Sequence, residues 1–310
     1  MPRTVRIGTR GSVLALTQTR WVESRIKAQH PDCATELVII KTTGDKLKDM
    51  PLAKVGGKGL FIKEIEEALL AGEVDLAVHS LKDMPAEMPA GCRLGAVPLR
   101  EDWRDAFISN TYATLTAVPA GGKIGTGSLR RRVQILHRRP DLSVVHLRGN
   151  VDTRLRKLTD EGLDAIILAA AGLNRLGLGH IPKALLSGAD MLPAISQGAL
   201  GLEVRMADAQ TRELIAFLDD PVTHSAVRAE RAFLARLEGG CVVPVAGLAQ
   251  VQDNSLTFKA LIGDLEGRRL IRGDITGPPA EADALGRSLA ERLLDQGGRE
   301  ILAQIYGRLL

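Results

Sequence analysis

Three groups of side chains in this 310-residue chain have types and spacing that could support chemistry. Cys241 sits in Gly239-Gly240-Cys241-Val242-Val243-Pro244. A glycine-rich loop after a helix leaves a thiol accessible as a nucleophile or attachment point. A lone cysteine is otherwise a small buried hydrophobe, and Cys33 and Cys92 keep that reading. His79-Ser80-Leu81-Lys82-Asp83-Met84-Pro85 follows an apolar run that reads as a buried strand. Strand C-termini in open α/β sheets are where ligands bind. Lys82 and Asp83 are therefore a candidate pair, since a carboxylate there can move protons or stabilise a developing cation. Taken alone, Asp83 is also an ordinary turn residue before a proline. His79, inside the strand, reads as structural.

Ser12 and Ser128 both fall where a strand turns into a helix. Free backbone N–H groups and the helix dipole favour an anion at such a place. An N-cap serine is the everyday explanation. The company shifts the balance, because Arg10 stands beside the first serine and Arg130, Arg131 and Arg132 follow the second. Arg148, Arg154 and Arg156 lie soon after. Arginine binds carboxylates bidentately, so two such termini facing across a cleft would hold several anionic groups. A solvated basic helix face is the bland alternative for any one arginine.

Other catalytic signatures fail. No GxSxG, complete Walker A or HExxH is present, and Arg130 occupies the third glycine position of a GxGxxG that starts at Gly125. Three cysteines without a CxxC argue against a disulfide framework and a structural zinc site, so no metal is expected.

These residues need strand-to-helix junctions to position them, and the pattern supplies them. Strands are expected at Thr4–Gly8, Glu36–Thr42 and Val74–Ser80, with helices at Leu14–Gln29 and Phe61–Ala71. Residues 43–59 read as a long polar loop. The pattern restarts after Pro98 with strands at Lys123–Gly125, Ser143–Leu147 and Ala165–Ala169 and helices through Leu136 and over Val151–Asp160. Alternation of this kind predicts α/β lobes with largely parallel sheets. Ile7-Gly8-Thr9-Arg10-Gly11-Ser12 echoes Ile124-Gly125-Thr126-Gly127-Ser128, which predicts two similar lobes. From Val245 three strands joined by tight turns at Asp253-Asn254 and Glu266-Gly267 precede a helix over Ala280–Leu294, a small α+β domain. The expected domains are 1–98 with about 199–218, then 99–198, then 219–310.

Composition bounds the function. Hydrophobic residues make up 45%, charged residues 25% and aromatics 3%, an ordinary globular balance with cores built from Leu, Val, Ile and Ala. The longest apolar run, Ala165–Leu173, is far short of the roughly 20 residues of a membrane span, and Arg3, Arg6 and Arg10 break any signal-peptide pattern. A cytoplasmic protein is expected. A formal charge of +4 and few aromatics for base stacking disfavour a nucleic-acid binder using the Arg130–Arg156 cluster. A non-enzymatic anion-binding protein would explain two lobes but not Cys241 in an extra domain.

The ordered motifs resemble the hydroxymethylbilane synthase (porphobilinogen deaminase) family from end to end. They are Ile7-Gly-Thr-Arg-Gly-Ser12, His79 to Pro85, Gly127-Ser-Leu-Arg-Arg131, Leu147-Arg-Gly-Asn150, Ala169 to Gly177, Gln197-Gly-Ala199 and Leu237-Glu-Gly-Gly-Cys241. The resemblance implies two lobes like type II periplasmic binding proteins plus a small C-terminal domain. It implies that four porphobilinogen molecules are joined head to tail with loss of ammonia, and that water releases linear hydroxymethylbilane. Cys241 would carry a dipyrromethane cofactor through a thioether. Asp83 would meet pyrrole nitrogens and the cation formed as ammonia leaves. Arg10, Ser12, Lys82, Ser128, Arg130, Arg131, Arg148, Arg154 and Arg175 would bind acetate and propionate groups, with Gln18 and Gln197 as weaker assignments. Lys54 and Lys58 would belong to a lid, and the protein would be a monomer with no nucleic-acid or membrane partner. Val242 stands where the family favours glutamine and Ser196 where it favours glycine, which touches only local loop geometry.

Overall fold

The computed structural model describes residues 4–46, 62–237 and 243–307. Cys241, Lys54 and Lys58 lie outside the described residues. The chain forms two compact units, 1–101 with 198–224 and 102–197 with 225–310.

The first unit is built on β1 (Thr4–Thr9), β2 (Ala34–Ile39), β3 (Leu76–Ser80), β4 (Cys92–Ala96) and β10 (Leu200–Arg205), in the order β2-β1-β3-β10-β4. Val5 and Ile7 alternate into the core, and the helix Val13–Gln29 covers them with Val22 and Ile26, spaced at one helical turn. The second unit repeats the plan with β5 (Asp105–Ile108), β6 (Lys123–Gly125), β7 (Ser143–Val145), β8 (Ala165–Ala169) and β9 (Ala184–Leu186), in the order β7-β6-β8-β5-β9. In each sheet the first two pairings are parallel and the last two antiparallel. The lobes are thus similar, and the α/β class is as expected.

The expectation of largely parallel sheets holds, since four of the five strands in each sheet share one direction and a single strand is reversed. The two antiparallel pairings of each lobe come from a strand supplied by a remote stretch of chain, β10 in one and β5 in the other. Hydrophobic pattern reports burial, not strand direction. Strands β4, β5, β9 and β10 have no counterpart among the expected strands. The polar loop expected over 43–59 begins with a helical turn, Thr43–Lys46.

The C-terminal part of the second unit is a meander of β11 (Val245–Gln252), β12 (Ser255–Gly263) and β13 (Leu270–Gly277). Asp253 and Asn254 turn the first hairpin with φ of 50° and 56°, the doubly left-handed pair of a type I′ turn. Helices Pro221–Arg236, Ala282–Leu293 and Arg299–Tyr306 cover this sheet, with Phe233 and Phe258 edge-to-face at 5.3 Å. A Cβ on Gly286 would come within 2.1 Å of the Ala229 carbonyl oxygen, so only glycine lets these two helices approach so closely. The loop after β12 lies against the helix Leu129–Arg138. Arg132 Nε donates to Leu265 O at 3.4 Å, and His137 Nδ1 is 3.0 Å from Gly267 O. Among the described residues no helix is long and apolar enough to cross a membrane.

Ser196 shows why glycine is favoured at its place. Its φ is +59°, it is 1% exposed, and its Oγ has no hydrogen-bond partner. A left-handed residue with a Cβ costs roughly 1–2 kcal/mol, and an orphaned buried hydroxyl adds to that. Ser196→Gly should therefore raise the unfolding free energy by about 1 kcal/mol. Urea unfolding of the two proteins checks this, and a less stable variant would show the strain argument to be wrong.

Candidate functional site

In the first unit, the β1-to-helix junction and the end of β3 meet at one edge of the sheet. Ser12 caps the helix Val13–Gln29 by accepting from Ala15 N at 3.2 Å. Gln18, on the second turn, is buried and donates from Nε2 to Ser80 Oγ at 2.9 Å. Leu81–Asp83 form a 3₁₀ turn after β3, with Lys82 half-buried and Asp83 exposed. A pocket of about 60 Å³ is lined by Arg10, Ser12, Gln18, His79, Ser80 and Asp83, among others. A cation and a carboxylate thus share one small site.

Behind this pocket lies a buried acidic group. His79 Nε2 is 3.0 Å from Glu203 Oε2, and neither side chain reaches 5% exposure. Burial raises the Glu66 carboxyl to about 7, with the charges of Glu203 and Glu67 acting the same way. Burial and Glu203 also push the Cys92 thiol up to about 12, so it is not a nucleophile.

In the second unit, the equivalent junction holds charge. Ser128 caps the helix Leu129–Arg138, accepting from Arg131 N at 3.4 Å. Arg130 and Arg131 are each only 5% exposed, so the bland alternative of a solvated basic helix face does not apply to them. The reason is Asp105, fully buried at the start of β5, which no sequence motif singles out. Arg130 Nη1 donates to Asp105 Oδ2 at 2.6 Å, and Arg131 Nη2 donates to Oδ1 at 2.7 Å. Gln197 Nε2 joins them at 2.9 Å and also donates to Trp103 O. Burial acts to raise the Asp105 carboxyl, but the two guanidinium charges outweigh it and hold the group well below the usual carboxylate range. The adjacency of two arginines in sequence gives no hint of this partner, which lies 25 residues away.

Two other expected residues lie at the junction of β7 and the helix Val151–Asp160. Arg148 Nε is 2.8 Å from His146 Nε2, and Arg154 Nε donates to Gly149 O at 2.8 Å. Burial, then the charges of Arg148, Arg154 and Lys157, lowers the affinity of His146 for a proton. Arg175 ends the short helix Ala170–Arg175 after β8 and is half-buried. Among the described residues there is no group of three or more His, Cys, Asp or Glu that could hold a metal.

Two guanidinium groups against one carboxylate leave one buried positive charge uncompensated. Arg130 Nε is also a buried donor without a hydrogen-bond partner. That donor set suits a group carrying carboxylates.

Comparison with known proteins gives a consistent result. The family model "Porphobilinogen deaminase, dipyromethane cofactor binding domain" matches residues 5–213, and "Porphobilinogen deaminase, C-terminal domain" matches 224–295. Porphobilinogen deaminase of Syntrophobacter fumaroxidans is 53% identical over 98% of this chain and 98% of its own. That of Geobacter sulfurreducens is 55% identical over 98% of this chain and 95% of its own. Among solved structures, the periplasmic aliphatic sulphonate binding protein SsuA of Escherichia coli is 16% identical, covers 76% of this chain and 70% of its own, and has a TM-score of 0.41.

The raised Glu66 carboxyl makes a stability prediction. Its folded value lies above the ordinary one, so its contribution is complete below about pH 4.5 and is lost as pH rises through about 7. Across that window the loss is about 1.4 kcal/mol per pH unit. Glu66→Gln should flatten the fall in stability between about pH 5 and pH 8 relative to the parent. Parallel denaturation curves in both proteins at the two pH values would contradict this.

Proposed function

The chain belongs to the porphobilinogen deaminase family, and from that premise we propose how its own residues divide the work. The activity is that of hydroxymethylbilane synthase, a transferase of tetrapyrrole biosynthesis. Four porphobilinogen molecules are joined head to tail, each losing ammonia, and water releases the linear product. The dipyrromethane cofactor, when bound, supplies the first acceptor pyrrole.

The observation that carries the division of roles is the pocket that puts Asp83 beside Arg10 and Ser12. Loss of ammonia leaves a cation spread over the substrate's pyrrole ring and nitrogen. Arginines cannot offset it, but the exposed Asp83 carboxylate can, while accepting a hydrogen bond from the pyrrole N–H. Lys82, the next residue, holds a substrate or cofactor carboxylate near that carboxylate. Arg10, Ser12 and Gln18 orient acidic side chains at the same edge. Ser128, Arg130, Arg131, Arg148, Arg154 and Arg175 do so from the second unit, where the surplus positive charge supports the assignment. Gln197, 1% exposed, acts from behind by holding Asp105. Cys241 is the attachment residue, and Lys54 and Lys58 belong to a lid. The same reading takes the protein as a cytoplasmic monomer. Unbridged Cys33 and Cys92 suit a reducing compartment.

Asp83→Asn keeps the shape and loses the charge. Removing one preorganised electrostatic group costs on the order of 10²–10³ in rate. At matched cofactor content the variant should fold yet turn over porphobilinogen that much more slowly, with Asp83→Glu between the two. Turnover of Asp83→Asn within a few-fold of the parent would rule out the assigned role.

An intact mass of the purified protein should show one added dipyrromethane, and Cys241→Ala should show none and no activity. Peptide mapping that finds the modification on Cys33 or Cys92 would overturn the attachment. The variant should also unfold at lower temperature, since a group bound only to the folded state stabilises it.

A further inference from the structure

We propose that Asp105 is a positioning residue for this reaction: its carboxylate fixes both arginine planes and restricts them to one ligand carboxylate at a time. The proposal rests on the roles given above to Arg130 and Arg131.

The placement is topological. β5 runs antiparallel to β8, so its first residue, Asp105, stands opposite Ala169, the last residue of β8. β6 and β8 are parallel, so the helix that follows β6 begins at the same edge. An antiparallel strand thereby delivers an N-terminal carboxylate to the edge where the parallel strands end and ligands bind.

Both oxygens of Asp105 are occupied by the protein. Oδ2 accepts from Arg130 Nη1, and Oδ1 accepts from Arg131 Nε and Nη2 and from Gln197 Nε2. Asp105 is therefore no acid or base for substrate. Its effect passes through the guanidinium groups. Arg131 is gripped on its other side by Ile167 O at 2.9 Å, and Arg130 by Leu192 O at 2.8 Å. Each plane is set before any ligand arrives, which lowers the ordering cost of a bidentate contact.

The charge is set as well. Without Asp105 the pair would present two positive charges and hold two carboxylates. With it, one charge remains, together with the unpartnered Arg130 Nε. A growing chain that adds carboxylates at every step must also move on and leave. One retained charge binds each carboxylate without trapping the chain.

The experiment measures KM and kcat for the parent, Asp105→Asn and Asp105→Glu at matched cofactor content, with urea unfolding to score folding. Asp105→Asn should raise KM at least about tenfold with a smaller change in kcat, and Asp105→Glu should lie between. Asp105→Asn leaves two buried cations without a counter-charge, so it is also made in an Arg131→Gln background, where one cation is removed with the anion. There it should raise KM by a smaller factor than in the parent, because the two residues act as a unit. An unchanged KM in the folded Asp105→Glu and Asp105→Asn proteins, or the same factor in both backgrounds, overturns the proposal. A parent whose intact mass shows no adduct would instead sink the family-based assignment of roles. An adduct-bearing parent with indifferent Asp105 variants sinks only Asp105.

Discussion

Two guanidinium groups cannot leave water side by side without a counter-charge. Desolvation penalises each, and each repels the other. In this chain the counter-charge is Asp105, whose carboxylate takes Arg130 and Arg131 at 2.6 and 2.7 Å. The helix Leu129–Arg138 docks on its sheet by burying Val133 and Ile135 and by placing its first turn against that carboxylate. Gln134, one turn on, completes the seam by bonding Leu192 through both its amide nitrogen and its oxygen. The ligand-facing edge of the second lobe is thus organised from within the core.

The first lobe shows what the same frame does without that charge. Counting from the capping serine, Arg130 and Arg131 correspond to Leu14 and Ala15. The helix Val13–Gln29 docks through Gln18 to Ser80 and through Thr19 to Thr9, neutral hydrogen bonds in place of ion pairs. Its edge can accommodate an exposed carboxylate, Asp83, next to a single arginine in the pocket. One plan of strands therefore carries two electrostatic characters, decided by two residues after each cap.

This explains what the sequence could and could not reveal. Ser12 and Ser128 were legible because an N-cap depends on a few adjacent residues, and the Asp253-Asn254 turn for the same reason. The lobes were legible because strand and helix periods alternate twice. The inward role of Arg130 and Arg131 was not, because a charged residue declares its burial only through its partner, and Asp105 is brought in by strand pairing. Glycine's preference at position 196 was visible as a family habit, but its cause, a left-handed backbone, needed the fold. Cys241, Lys54 and Lys58 lie outside the described residues, so their roles rest on the family alone.

The two lobes also bury opposite imbalances, and chemistry decides how each is relieved. Behind the first pocket, Glu203 meets the His79 imidazole at 3.0 Å and its charge also acts on Glu66. A carboxylate can shed excess charge by taking a proton, and the Glu66 carboxyl, raised to about 7, does so near neutrality without help from a ligand. In the second lobe the surplus belongs to arginine, which does not give up its proton in any accessible range. Asp105 has nothing more to offer it, because both its oxygens are already occupied. An anion from outside would relieve it. The first lobe can therefore relieve part of its surplus by taking up a proton, whereas the surplus of the second lobe is of a kind that only a bound anion would balance.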